Sequence, residues 1–211
     1  MQLSAEIRWF WQEAIPSSFE KWFHGELGGC PPGGGKPRLD EYLYEKGQVE
    51  LGLKKRGGKP GIEVKGLIAT LPMPVAIGPI HGQIQLWSKW TTTELRLDGL
   101  ALLSTNKTRW LRKYDTGNGR VTEIELKEDE APKNDAIKLP KNGCNVELTR
   151  VIVGPAQQVW WTVGCEAFAP SLGAAEQSLR VVLNSILAKD VPAVEGGEAA
   201  SYPAWMSSLS F

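Results

Sequence analysis

The chain has 211 residues, 42% of them hydrophobic, which is enough to bury a core and far from the composition of a disordered chain. Lys plus Arg equals Asp plus Glu at 24 each, so the molecule as a whole attracts neither nucleic acid nor an anionic membrane, and any charge specialisation must be local. Three scattered cysteines without a CxxC pair exclude a disulfide framework and point to reduced thiols in a cytoplasmic protein.

In chain order, "LSAEIRWFW" alternates and is rich in aromatic residues, as a strand is. It lacks the basic region and apolar run of a signal peptide, and none is expected. "IPSSFEKWFHGEL" reads as a helix started by Pro16 and Ser17 or Ser18, with Phe19, Trp22 and Phe23 as its apolar stripe. "GGCPPGGGKP" (28–37) is expected to be a flexible loop; its spacing does not match a Walker A phosphate loop. "RLDEYLYEKG" leads into "LGLKKRGGKPGIEVKG" (51–66), a hairpin turned by Gly57, Gly58, Pro60 and Gly61. "LPMPVAIGPIHG" (71–82) is expected to be a connector broken by Pro and Gly.

Further strands are expected in "GQIQLWSKW", "TELRLDGLALLSTNKTRWLRKYD", "RVTEIELKE", "CNVELTRVIV" and "QVWWTVGCEAFA", with "EDEAPKNDAIKLPKNG" a polar loop. "SLGAAEQSLRVVLNSILAKD" is the clearest helix. Ser171 can cap it, and Leu172, Ala175, Leu179, Val182, Leu183, Ile186 and Leu187 share one face. The tail is loop-like, with one docked aromatic turn at Tyr202 and Trp205. The expected fold is α+β over a single domain, 1–211, with an antiparallel barrel or strongly curved sheet and a few packing helices.

Splitting each strand by parity separates charge from apolar surface. Glu6 and Arg8, Lys54 and Arg56, Glu63 and Lys65, Lys107 and Arg109, Glu123 and Glu125, and Glu147 fall on faces opposite Ile7, Leu53, Val64, Ile124 and Leu148. Such alternation suits a sheet wetted on one face. The alternative is a barrel with charge turned inward, where Lys and Arg would grip a polyanion and carboxylates would hold a hard divalent cation. His24 and His81 lack neighbouring ligands, and Cys165 lacks a base beside it.

The order of these elements resembles the CYTH, or triphosphate tunnel, family. Asp40 and Tyr42 match its D-x-Y-Y segment, Lys54 and Arg56 its LRxR pair, Lys65 its strand-end lysine, and Lys107 and Arg109 its K-x-R strand. "VELTRVIVGPAQQVWWTVGCEAF" matches the late strand pair, with Glu166 as its carboxylate. The resemblance implies an antiparallel β-tunnel with packing helices, one of them C-terminal, that holds a small phosphorylated anion with Mg or Mn. It implies phosphate contacts from Arg8, Lys54, Arg56, Lys65, Lys107 and Arg109, and metal ligation by Glu6 and Glu166, with Glu63 a further candidate. The N-terminal ExExK appears as Ser4-Ala5-Glu6-Ile7-Arg8, and Gly164 and Phe168 flank Glu166. Cations are thus kept while carboxylates are lost. That leaves two expectations: a weakened metal-dependent triphosphate hydrolase, or a non-catalytic binding or interaction module. The neutral net charge argues against nucleic acid.

Overall fold

The computed structural model describes residues 1–26, 30–77, 80–187, 189–192 and 196–210. Among the described residues ten strands, three α-helices and two short turns of other helix types follow in order. β1 is Gln2–Gln12, β2 Gly33–Leu43, β3 Leu51–Arg56, β4 Ile62–Ile77 and β5 Ile80–Thr92. β6 is Leu102–Asp115, β7 Thr122–Ile124, β8 Gly143–Val153, β9 Gln158–Ala169 and β10 Glu198–Ala199. The helices are α1 Ser17–Lys21, α2 Leu172–Leu187 and α3 Tyr202–Ser208.

Eight strands pair antiparallel in the order β1-β5-β4-β3-β2-β6-β8-β9. β9 then pairs back with β1 over ten residues, Leu3↔Ala169 to Gln12↔Trp160, and closes the barrel. β7 and β10 are short additions to β6 and β1. Closure gives the alternation its meaning: with no free edge, one parity of every strand must face the lumen and the other the outside.

The outward parity carries the main apolar core. Ile7, Trp9, Val146, Leu148, Val163 and Cys165 are buried under Ala175, Leu179, Val182, Leu183 and Ile186 of α2, the face that helical spacing selected. The Ser171 carbonyl accepts from Ala175 N at 3.0 Å and its Oγ from Ala174 N at 3.3 Å, a side-chain cap where the sequence placed one. Phe19, Trp22 and Phe23 join the same core from α1 and the π-helical turn Trp22–Glu26 that continues it. The buried Arg112 donates from Nε to the Phe23 carbonyl at 2.8 Å and ties that turn to the barrel wall.

Four sequence expectations change. The segment read as a loop over 28–37 enters β2 at Gly33; residues 27–29 lie outside the described residues. Its glycines are what allow it: a Cβ on Gly33 would lie 2.6 Å from the Lys127 carbonyl, and one on Gly34 2.3 Å from that of Arg109. The "connector" over 71–82 is strand at residues 71–77 and 80–82; residues 78–79 lie outside the described residues. β4 and β5 pair out to Ile77↔Ile80, absorbing the prolines through register shifts at Leu67/Ala69 and Thr70/Pro74. The long strand expected over 93–115 begins only at Leu102, and the strand expected from Arg120 shrinks to Thr122–Ile124.

The C-terminal tail forms α3. Ser201 caps it through Oγ, which accepts from Ala204 N, and Pro203 sits in its first turn. α3 packs into one end of the barrel, against the lumen-facing residues Phe10, Tyr42, Leu103, Val151 and Val153. Trp205 is fully buried and stacks on Phe10 with ring centroids 4.5 Å apart. That end of the lumen is therefore apolar and filled.

Candidate functional site

The remainder of the lumen is a cavity of about 520 Å³. Arg8, Lys54, Arg56, Lys65, Lys107 and Arg109 all line it, and so do Glu6, Glu63 and Glu166. The strands bring these nine side chains together because each sits on the inward parity of a closed barrel. Tyr202, Pro203 and Met206 of α3 bound the cavity at the filled end. Glu123 and Glu125, weighed in the sequence as further carboxylates, are not among its lining residues; Glu123 pairs with Arg112 and Glu125 with Lys133.

Several lining residues were not singled out by sequence. Lys89 of β5, Arg38 of β2, Lys113 of β6 and Glu147 of β8 belong to the site. The parity rule that selected Lys107 and Arg109 also selects Lys113, and Glu147 stood on a charged face already. Lys89 lies in an aromatic strand with no charged neighbour two residues away, so only closure of β5 onto β1 reveals it.

Most of the charges are paired. Arg8 Nη2 donates to Glu147 Oε2 at 2.8 Å, and Arg109 Nη1 to Glu147 Oε1 at 2.7 Å. Arg109 also donates from Nε and Nη2 to Glu130, brought in by the polar loop. Arg109 and Arg8 hold the buried Glu147 carboxyl well below its ordinary value against the opposing effect of burial. Lys54 bridges Glu63 at 2.8 Å, its register partner across β3 and β4. Lys65 Nζ donates to Glu6 Oε2, while Ser4 Oγ donates to Glu6 Oε1 at 2.7 Å. Lys89 Nζ donates to Glu166 Oε1 at 2.7 Å. Burial raises the Glu166 carboxyl, but Lys89 and Lys65 outweigh it and bring it down to about 2.

Two of the sequence's departures acquire physical reasons. Ser4 is a hydrogen-bond donor that orients Glu6. Gly164 leaves the space in which the Arg8 guanidinium lies: a Cβ there would sit 2.3 Å from Arg8 Cζ, so no glutamate fits.

Among the described residues, Arg56, Lys107 and Lys113 make no ion pair at all. Lys107 is 3% exposed. Its ammonium donates to Tyr42 Oη and lies over the rings of Tyr42 and Tyr202, 4.5 and 3.5 Å from their centroids. Burial, with Lys54 nearby, pushes Lys107 well below the ordinary lysine value. Burial likewise brings Lys54 down to about 8 despite Glu63. Nine cations and five carboxylates line the cavity, so it holds an excess of positive groups in a place that penalises their charge.

The donors do not fit a divalent cation as they stand. Such an ion needs six or more oxygens. Both oxygens of Glu6 already accept from Ser4 and Lys65, and Glu166 accepts from Lys89. Among the described residues no three of His, Cys, Asp and Glu converge. Cys144 and Cys165 are buried free thiols on the outward face, and burial pushes Cys165 up to about 12, away from nucleophilic use.

Fold and site define a closed eight-stranded antiparallel β-barrel with a cation-rich lumen. No helix among the described residues is long and apolar enough to cross a membrane. No protein-family model matches the chain, and no curated protein matches it.

Proposed function

We propose that this protein is a divergent CYTH-like tunnel protein that binds a triphosphate, or a similarly compact phosphorylated polyanion, inside its barrel. The observation that carries this reading is the set of cations without carboxylate partners, Arg56, Lys107 and Lys113, facing the same enclosed cavity as six further cations. An anion entering there would neutralise charges that burial now penalises. Arg56 suits bidentate contact with phosphate oxygens, and the lysines act as point charges. The volume lies within the usual range for small-molecule sites, about 300–1,000 Å³. The motif order and the free thiols support the same family reading and a cytoplasmic setting.

Binding is favoured over hydrolysis. Glu6, Glu63, Glu147 and Glu166, the strand glutamates that line the cavity, are each held by a lysine or arginine, and the buried Asp40 lies 3.3 Å from Arg38; Glu45, the fifth lining carboxylate, is exposed beyond the end of β2. None of the strand carboxylates is left free to activate water. Calorimetry with tripolyphosphate tests the proposal. One-to-one binding is expected, weakened at least tenfold in Arg56→Ala, with no release of phosphate. If Arg56→Ala and Lys107→Met bind as wild type does, the anion does not sit in this cavity and the reading fails. Turnover abolished by Glu6→Gln would instead establish a hydrolase.

A further inference from the structure

The two carboxylates that a tunnel enzyme would offer to a metal face two ammonium groups here. Glu6 on β1 and Glu166 on β9 are register partners, so their side chains enter the lumen side by side. Lys65 on β4 and Lys89 on β5 are register partners as well. Lys65 reaches Glu6 and Lys89 reaches Glu166, giving two parallel ion pairs in one wall of the cavity.

We propose that Lys65 and Lys89 together take the place of a divalent cation, so that the cavity holds its anion without metal. The inference rests on the anion-binding reading above. The two ammonium groups carry the charge of one divalent ion. Each has three N–H donors. One is used on a carboxylate, which leaves others for anion oxygens. Each lysine can therefore bridge carboxylate and phosphate as a metal would, without the dehydration a hard cation requires. Lys65 is also tethered: its Nζ lies 4.6 Å from the centroid of the Trp87 ring, which is fully buried. A free divalent ion would have to displace both ammonium groups before it gained two carboxylates, and the displaced charges would remain in the same lumen.

Two titrations, run first on the wild-type protein, test this. In the first, Mn²⁺ alone is added and followed by its paramagnetic resonance signal. No stoichiometric site is expected at submillimolar metal. A one-to-one manganese site lost in Glu166→Gln would overturn the proposal. In the second, tripolyphosphate is titrated in EDTA and again with Mg²⁺. Equal affinity, or weaker apparent affinity with Mg²⁺ because the ion sequesters the anion, is expected. Binding that requires Mg²⁺ or Mn²⁺ would overturn it. The Lys65→Met/Lys89→Met double variant frees Glu6 and Glu166 and should gain a manganese site. If wild type binds no tripolyphosphate in either buffer, the anion reading fails, while the manganese titration still decides whether the lysines exclude metal.

Discussion

Gly164 and Arg8 face each other across β9 and β1, with Glu147 on the far side of Gly164 in β8. The guanidinium lies over the glycine and is fixed by Glu147 and by Thr162 Oγ1 at 3.2 Å. Gly164→Ala drives a methyl group into it. The expected result is displacement of Arg8 and loss of about 1–3 kcal/mol in stability, as when one partner of a buried charged hydrogen bond is left unmet. Urea denaturation measures the loss, and a wild-type midpoint would show that Arg8 has another resting place. Lys107 behaves differently because it is a buried cation that makes no ion pair among the described residues. Lys107→Met keeps the stem between two tyrosine rings and removes the charge. It should raise stability by about 1 kcal/mol or more while weakening tripolyphosphate binding at least tenfold. Opposite signs in the two assays separate a functional charge from a structural one.

Among the elements, α3 does the most for its length. It is seven residues long, too short to be stable alone, yet it fills one end of the barrel. Trp205 is held on three sides, by Phe10, Trp160 and Tyr202. Tyr44 Oη donates to the Leu209 carbonyl at 3.0 Å and pins the end of the helix to the strand side. Trp205→Ala should cost about 3–5 kcal/mol, the usual range for a fully buried large aromatic side chain. Because Tyr202 and Pro203 wall the cavity, the same variant should also weaken anion binding. Thermal unfolding and calorimetry on one preparation read both effects. A tail that contributed only solvation would leave both unchanged.

For the whole molecule, the lumen makes stability depend on pH in an uncommon direction. Lys54 has a folded value of about 8, below its ordinary 10.5. Between those values the unfolded chain keeps a proton that the folded chain has released, so stability rises with pH. Lys107 is shifted the same way. Above the ordinary thiol value of 9.0 the rise is offset, because Cys144 and Cys165 are raised in the fold and ionise first in the unfolded chain. The ligand-free protein should therefore gain thermal stability from pH 8 to 9. Tripolyphosphate should bind more weakly over that interval, by up to about tenfold per pH unit for one linked proton. A flat melting temperature over that interval would show that Lys54 and Lys107 keep their protons in the fold. At one hundred times its dissociation constant the anion should add about 2.7 kcal/mol of stability, with no equal gain from sodium chloride at the same ionic strength.

The sequence by itself determined the strand faces, the apolar stripe and cap of α2, and the cations from Arg8 to Arg109, because period-two and helical spacing are local properties of the chain. It could not decide whether the charged faces looked outward to water or inward to one another, since both arrangements share one pattern. Closure of β9 onto β1 decided that. Closure also set Lys89 against Glu166, brought Arg8 over Gly164, and turned residues 33–37, 71–77 and 80–82 into strand through glycine contacts and register shifts that have no signature in spacing. Whether a carboxylate meets a metal or a lysine depends on which strand lies across the barrel, and that is a property of the tertiary structure alone.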